Sequence, residues 1–292
     1  MKIDLYAICW NEARMLGFFF RHYEPLVRRF VIYDNGSTDE TRDLLRAKPN
    51  VELRPFPNTH PDSYVLSAKA LQDQCWKESR GRADWVIVTA IDEHLYHPRL
   101  EDYLRRCKRR GITYIPALGF QMLTSDFPAP DEHLATTRTK GAPFSMMSKL
   151  RIFDPDAIED SDFAIGGHGA APTGRLRLPW RDELLLLHYK FLGVDYIRAR
   201  STALRARMGD HDRAQRWDDL YSERRVAADW QGFVDKLVDL RAADYVPWID
   251  HFEGRWWRSP SDPSWIWRGI VKRTREFVTG KPSASRGRTA TF

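Results

Sequence analysis

Between Asp84 and Pro98 the chain reads Asp-Trp-Val-Ile-Val-Thr-Ala-Ile-Asp-Glu-His-Leu-Tyr-His-Pro. An apolar, β-branched run stops abruptly at two carboxylates, Asp92 and Glu93. The pattern predicts a buried strand with an acidic C-terminal end. In open α/β sheets, ligands sit beyond the carboxyl ends of the strands. Acids placed there suit hard divalent cations, which take oxygen donors. The same two residues also read as an acidic turn that caps a helix near Pro98.

The first ~120 residues alternate strand and helix signals, the mark of βαβ units in a sheet. Strands are predicted at Ile3 to Cys9, Phe30 to Asp34, Val51 to Pro55, Trp85 to Ile91 and Ile112 to Met122. Helices are predicted at Glu12 to Tyr23, Glu40 to Arg46, Val65 to Ser79 and Leu100 to Arg109. Asn11 is placed to cap the first of these. Residues 124–182 are rich in Pro, Gly and Asp, with one short strand at Lys149 to Phe153. A further apolar strand, Leu184 to Phe191, carries His188. Helical patterns dominate from Val194. We expect an α/β domain over 1–208, a helical extension over 209–280 that holds most of the tryptophans, and a disordered basic tail over 281–292.

The 292 residues are 42% hydrophobic and 29% charged, ordinary values for a globular protein. No apolar run is long enough to span a bilayer, and the N-terminus lacks the h-region of a signal peptide. Cys9, Cys75 and Cys107 are too scattered for a zinc cluster or a disulfide framework, so a reducing, cytoplasmic setting is the simplest expectation. The net charge of +6 is concentrated: Arg268 to Phe292 holds seven Lys or Arg and one Glu, which equals the whole excess. A basic tail attracts anionic lipid, nucleic acid or an acidic partner. The neutral remainder argues against nucleic acid, because phosphate contacts need a basic face.

Three elements together resemble GT-A glycosyltransferases of the family 2 type. They are Ile8-Cys9-Trp10-Asn11-Glu12, then Val31-Ile32-Tyr33-Asp34-Asn35-Gly36-Ser37-Thr38-Asp39-Glu40-Thr41, then Ile91-Asp92-Glu93-His94. The nearest subgroup reads Asn-Glu, Asp-Asn-x-Ser-x-Asp, Asp-x-Asp-Glu-Phe and a late His-Tyr, here His188-Tyr189. The resemblance covers residues 3–200 and leaves out the Trp-rich C-terminal part. It implies a Rossmann-like, mostly parallel sheet flanked by helices, and inverting transfer of a sugar from a UDP-, GDP- or dTDP-sugar to a glycan or other hydroxyl acceptor.

By that resemblance Asn11, Glu12, Asp34 and Asn35 bind the nucleotide-sugar, and Asp92, Glu93 and His188 hold Mn2+ or Mg2+. Read from the residues alone, Asn11 also serves as a helix cap, Asp34-Asn35-Gly36 as a tight turn, and His188 as a core histidine on an apolar strand. Ala90 stands where the subgroup has its first Asp. This departure motivates a second reading, a degenerate nucleotide- or sugar-binding module without transfer activity. Lys149 and Arg151 offer two cations for the leaving diphosphate, or simply a solvated strand face. Inverting transfer needs one group to take the acceptor proton, and the candidates are Asp160, Asp162 and His168, beside the Gly166-Gly167 pair.

The C-terminal part carries Trp256-Trp257 and Trp265-x-Trp267, followed by Arg268, Lys272, Arg273 and Arg275. Aromatics beside cations fit a cap packed on the main domain, a carbohydrate-stacking surface, or peripheral contact with the inner face of a membrane.

Overall fold

The structure is a computed structural model and describes residues 1–251, 256–259 and 261–279. The expected basic tail over 281–292 lies outside the described residues. The chain begins with the predicted alternation: β1 (Ile3–Cys9), α1 (Ala13–Tyr23), β2 (Arg29–Asp34), α2 (Thr41–Arg46), β3 (Val51–Pro55), α3 (Tyr64–Gln74) and β4 (Trp85–Ala90). Four strands lie side by side as β4-β1-β2-β3, all parallel. Period-2 alternation gives this layer two apolar faces. Leu5, Phe30, Ile32, Trp85 and Ile87 pack with Leu16, Phe19 and Tyr23 of α1. Tyr6, Val31, Tyr33, Val86 and Val88 pack with Cys75 and Trp76, on the 3-10 turn Cys75–Ser79 that continues α3.

After β4 the chain departs from simple alternation. A two-residue turn leads into β5 (Glu93–Tyr96), a strand that the sequence pattern does not predict. Then come α4 (Leu100–Arg109), β6 (Tyr114–Thr124), α5 (Leu134–Thr137), β7 (Lys140–Pro143), β8 (Lys149–Phe153), β9 (Ile158–Asp160), β10 (Thr173–Gly174) and β11 (Leu184–Leu192). β8 inserts antiparallel between β4 and β6. β11 runs parallel to β6 and antiparallel to β5. The result is a mixed α/β sheet whose parallel half carries the first three motifs.

The remainder supplies α6 (Val194–Ala206), α7 (Asp210–Ala214), α8 (Glu223–Val234), β12 (Val238–Asp239), α9 (Pro247–Asp250) and α10 (Pro263–Thr279). The expected helices are there, with one addition: β12 pairs with β7 and extends the sheet. No helix among the described residues is long and apolar enough to cross a membrane.

Asn11 does not cap α1. The N-cap is Glu12, without a side-chain cap bond. The first free N–H groups are satisfied from the second motif: Ala13 N donates to Asp39 Oδ2 (3.2 Å) and Glu12 N to Thr41 Oγ1 (2.7 Å). Asn11 itself takes a left-handed conformation, φ 49°, a region that Asn tolerates better than most residues. Its Oδ1 accepts from Thr38 N at 2.7 Å, and its own N–H donates to Ser37 Oγ at 2.9 Å. The first two motifs are therefore one interlocked turn.

Candidate active site at the strand tips

The parallel register pairs Cys9 with Asp34 and Ile8 with Ala90, so β1, β2 and β4 end side by side. Asp34 closes β2. Both of its carboxylate oxygens accept from Ser37 N (3.1 and 3.3 Å), and Arg42 Nε lies 3.7 Å away. Gly36 follows at φ 74°, where a side chain would strain the turn. Asn35 offers its carbonyl to Arg207 Nη2 at 3.2 Å.

Asp92 occupies the turn between β4 and β5. Its carbonyl accepts from Tyr189 N at 2.8 Å, which fixes the turn to β11. Asp92 Oδ2 lies 3.3 Å from His188 Nε2. The other ring nitrogen, Nδ1, is 2.8 Å from Gln121 Oε1, while Gln121 Nε2 donates to the His188 carbonyl at 2.8 Å. A carboxamide oxygen only accepts, so Nδ1 carries the hydrogen. Nε2 then directs its lone pair at a carboxylate. Two acceptors so placed are complementary to a cation, either a proton or a metal ion. Burial pushes the Asp92 carboxyl up, but when the cation is a proton on Nε2 the imidazolium charge and its hydrogen bond outweigh burial and hold Asp92 below its ordinary value.

Glu93 is a correction to the expected ligand set. Glu93 is the first residue of β5 and its side chain lies in the interior, 3% exposed, while Asp92 stays in the turn at the strand tips. Its carboxylate meets Lys149 Nζ at 2.7 Å and Arg151 Nε at 3.3 Å, and all three side chains are at most 4% exposed. It also accepts from Thr89 Oγ1 at 3.2 Å. Burial raises Glu93, and Arg151 and then Lys149 more than reverse this, leaving it far below the carboxylate range. Lys149 and Arg151, expected on a diphosphate, are thereby committed to Glu93. Lys149 is lowered to about 8 by burial, against the pull of Glu93. Gly167 is required here, because a Cβ would lie 2.6 Å from Arg151 Nη1. Next to Glu93, His94 stacks on His22 (4.5 Å, 10°) and meets the edge of Tyr189. It fills the aromatic place that the motif has at this position.

Glu12 is also paired, with a residue that sequence reasoning missed. Arg200 of α6 donates to the Glu12 carboxylate, and its Nη1 donates to the carbonyls of Trp10 (2.9 Å) and Asn11 (3.1 Å). Burial first, opposed by Arg200 and reinforced by Asp92 and Asp39, pushes Glu12 up to about 8. Arg207, two helical turns on, lies over the Trp10 ring at 4.0 Å. The helix thus lays cations across the strand ends, on the acids' side. Tyr196, Lys190 and Tyr221 also sense the field of Asp92. One available signal was position: α6 follows directly on the His188-Tyr189 strand, and Tyr196, Arg200 and Arg207 recur at helical spacing.

The three candidate bases divide. Asp160 pairs with Lys77 Nζ at 2.5 Å and Asp162 with Lys69 Nζ at 3.3 Å, which ties this segment to α3 and its 3-10 extension. Asp73 reinforces the seam by accepting from Ser161 Oγ and Phe163 N. His168 instead sits at the Lys149–Arg151 cluster, with Nδ1 2.8 Å from the Met146 carbonyl. Burial, then the Lys149 charge, lower it to about 4. Its ring is therefore neutral, with Nδ1 donating and Nε2 bearing the lone pair.

Among the described residues no group of three or more His, Cys, Asp or Glu is placed to hold a metal ion. Asp92 and His188 form a two-donor set.

A family model, Glycosyltransferase family 92, matches residues 10–148. That segment contains Asn11-Glu12, the Asp34 turn and Asp92, which also carry the resemblance to GT-A glycosyltransferases. The motifs lead to the expectation of a glycosyltransferase of the family 2 type, and the model that matches is likewise a glycosyltransferase family. No curated protein matches the chain. Among solved structures, TarS of S. aureus is 15% identical, with 53% of this chain and 28% of that chain covered and a TM-score of 0.31. Glucosyl-3-phosphoglycerate synthase from Mycobacterium tuberculosis, in complex with Mn2+, UDP-glucose and phosphoglyceric acid, is 15% identical, with 71% and 66% covered and a TM-score of 0.35. The chain spans about a quarter of the length of the first.

Proposed function

We propose that the chain is a glycosyltransferase that binds a nucleoside-diphosphate sugar across the ends of β1, β2 and β4, with residues 1–208 as its catalytic unit. One observation carries the reading: the Asp92–His188 pair and the Arg200–Arg207 face of α6 meet at one set of strand ends. That set belongs to the segment matched by a glycosyltransferase family. Oxygen and imidazole donors opposite guanidinium groups suit a ligand that is anionic and cation-bound at once, as a diphosphate is.

A divalent ion fits the pair. Mg2+ and Mn2+ sites use one or two protein ligands plus substrate phosphates and water, so Asp92 and His188 meet the need even with Ala90 in the first acidic position. Gln121 holds the imidazole in the tautomer that presents Nε2. When bound, the ion neutralises charge on the departing diphosphate. The chain's own contribution is positional. Asn11 and Asp34 hold the nucleotide-side turn, Arg207 covers Trp10 and Asn35, and Arg200 stands between Glu12 and the space before Asp92. Of the three candidate bases, we assign the acceptor proton to His168 Nε2, because Asp160 and Asp162 are neutralised by lysines. The three cysteines are buried and free, in keeping with a reducing compartment.

The test is transfer and donor hydrolysis with UDP-, GDP- and dTDP-sugars and Mn2+. Asp92→Ala and His188→Ala should abolish both with the fold retained. Wild-type turnover by Asp92→Ala would refute the assignment. Ala90 favours a second reading, a binding module without turnover. Calorimetric binding of a donor that no acceptor panel consumes would select it.

A further inference from the structure

Helix α10 is built inside out. Two of its cations point inward: Arg268 donates to the carbonyls of Trp248 (3.2 Å) and His251 (2.9 Å), and Arg275 Nη1 meets Asp250 Oδ2 at 2.5 Å. These two residues are seven apart, on the face that docks on α9. The opposite face carries Ile266, Trp267 and Ile270, which are 52%, 53% and 48% exposed. At 100° per residue they share one arc with Arg273 and Thr274, both exposed. Isolated exposed hydrophobics are normal, but three large ones grouped on a single helix face mark an interaction surface.

Charge selects the partner. From Arg268 to the end of the sequence there are seven Lys or Arg against one acid, Glu276. The rest of the chain is neutral in sum. An apolar, Trp-bearing arc beside a strongly basic segment is the combination that partitions into a bilayer interface, with the ring at headgroup depth and the cations on anionic lipid. A second copy would instead bring its own basic segment against this one, and like charges oppose that pairing.

We propose that the Ile266–Trp267–Ile270 face of α10 seats on an anionic lipid bilayer and holds the protein at that surface. Arg268 and Arg275 serve as the ties that keep the face turned outward. The inference is independent of sugar transfer and stands or falls by itself.

The experiment is co-sedimentation of the full chain with vesicles of phosphatidylcholine alone and of phosphatidylcholine mixed with phosphatidylglycerol. Binding should require the anionic lipid and weaken with salt. Trp267→Ser with Ile270→Ser should reduce it about tenfold or more, because their buried apolar area supplies the insertion energy. Arg273→Glu should reduce it about fivefold or more. All these positions are exposed, so unchanged thermal unfolding will certify the fold. The proposal is overturned by equal sedimentation of wild type and double variant, by equal binding to neutral vesicles, or by a vesicle-independent dimer that the double variant disperses.

Discussion

Asp92 and Glu93 are adjacent in sequence and belong to different regions of the molecule. Asp92 faces the strand tips, with one imidazole beside it and cations of α6 across the gap. Glu93 faces the interior, clamped by Lys149 and Arg151. His94 continues inward, stacked on His22. The turn creates this division: it leaves Asp92 at the strand tips, while Glu93 opens β5 and enters the sheet beside β11. What reads as an acidic pair is one carboxylate available to a ligand and one that holds the fold together. The difference between the regions is therefore testable as function against stability.

The largest expected effect is on the sealed side. Glu93→Ala leaves two cations buried without a counter-charge. Breaking such a cluster costs about 3–5 kcal/mol, enough to unfold a typical domain in part. Denaturant unfolding should show this loss, whereas Asp92→Ala should unfold near wild type and lose activity. If Glu93→Ala were as stable as wild type while losing donor binding, the two acids would have exchanged roles.

Acid should find the sealed side next. Burial lowers His22 to about 4 from an ordinary 6.5, and burial also lowers His94. The unfolded chain therefore binds protons that the folded chain refuses. Stability is full above pH ~6.5 and falls as pH drops toward ~4, by up to about 1.4 kcal/mol per pH unit for one such group. Unfolding measured from pH 7 to pH 4 should steepen accordingly, and His22→Phe should flatten the slope in that window. A slope unchanged by the substitution would remove the histidine stack as its cause.

A smaller effect tests the open side. Gln121→Met keeps the volume but removes the acceptor for His188 Nδ1–H. Partners that orient a ligating histidine contribute roughly 10–100-fold to metal affinity or activity, so Mn2+-dependent donor binding should weaken by that factor. The stability cost of the unpaired Nδ1–H is about 1–3 kcal/mol. Donor binding that weakens equally with and without Mn2+ would show that His188 does not serve the ion.

Much of this was legible beforehand. The parallel strands, the helices between them and the meeting of three motifs follow from patterns within short windows, where side-chain period reports local structure. The site's partners were less legible because they come from pairing over long distances. No window shows that β5 turns back beside β11 and so sends Glu93 to Lys149, 56 residues away. Arg200 reaches Glu12 across 188 residues. Asn11 has the sequence of a cap, yet Asp39 and Thr41 cap the helix from the next motif. Local propensity named the residue types, and tertiary contacts assigned their duties.

The smallest expected effect concerns Asp160 and Asp162. Both carboxylates are largely exposed, 61% and 63%, and pair with Lys77 and Lys69. Exposed pairs contribute little to stability, so Asp160→Asn and Asp162→Asn should leave thermal unfolding unchanged. They should also leave turnover unchanged, because each acid already shares its charge with a lysine of the α3 seam. His168→Gln should slow transfer while sparing donor binding, since His168 offers an uncharged ring nitrogen beside the cluster behind Asp92. If Asp162→Asn slows transfer instead, the proton acceptor belongs to the α3 seam. The open region would then extend around the sheet to residues 158–162, and the division drawn at β5 would have to move with it.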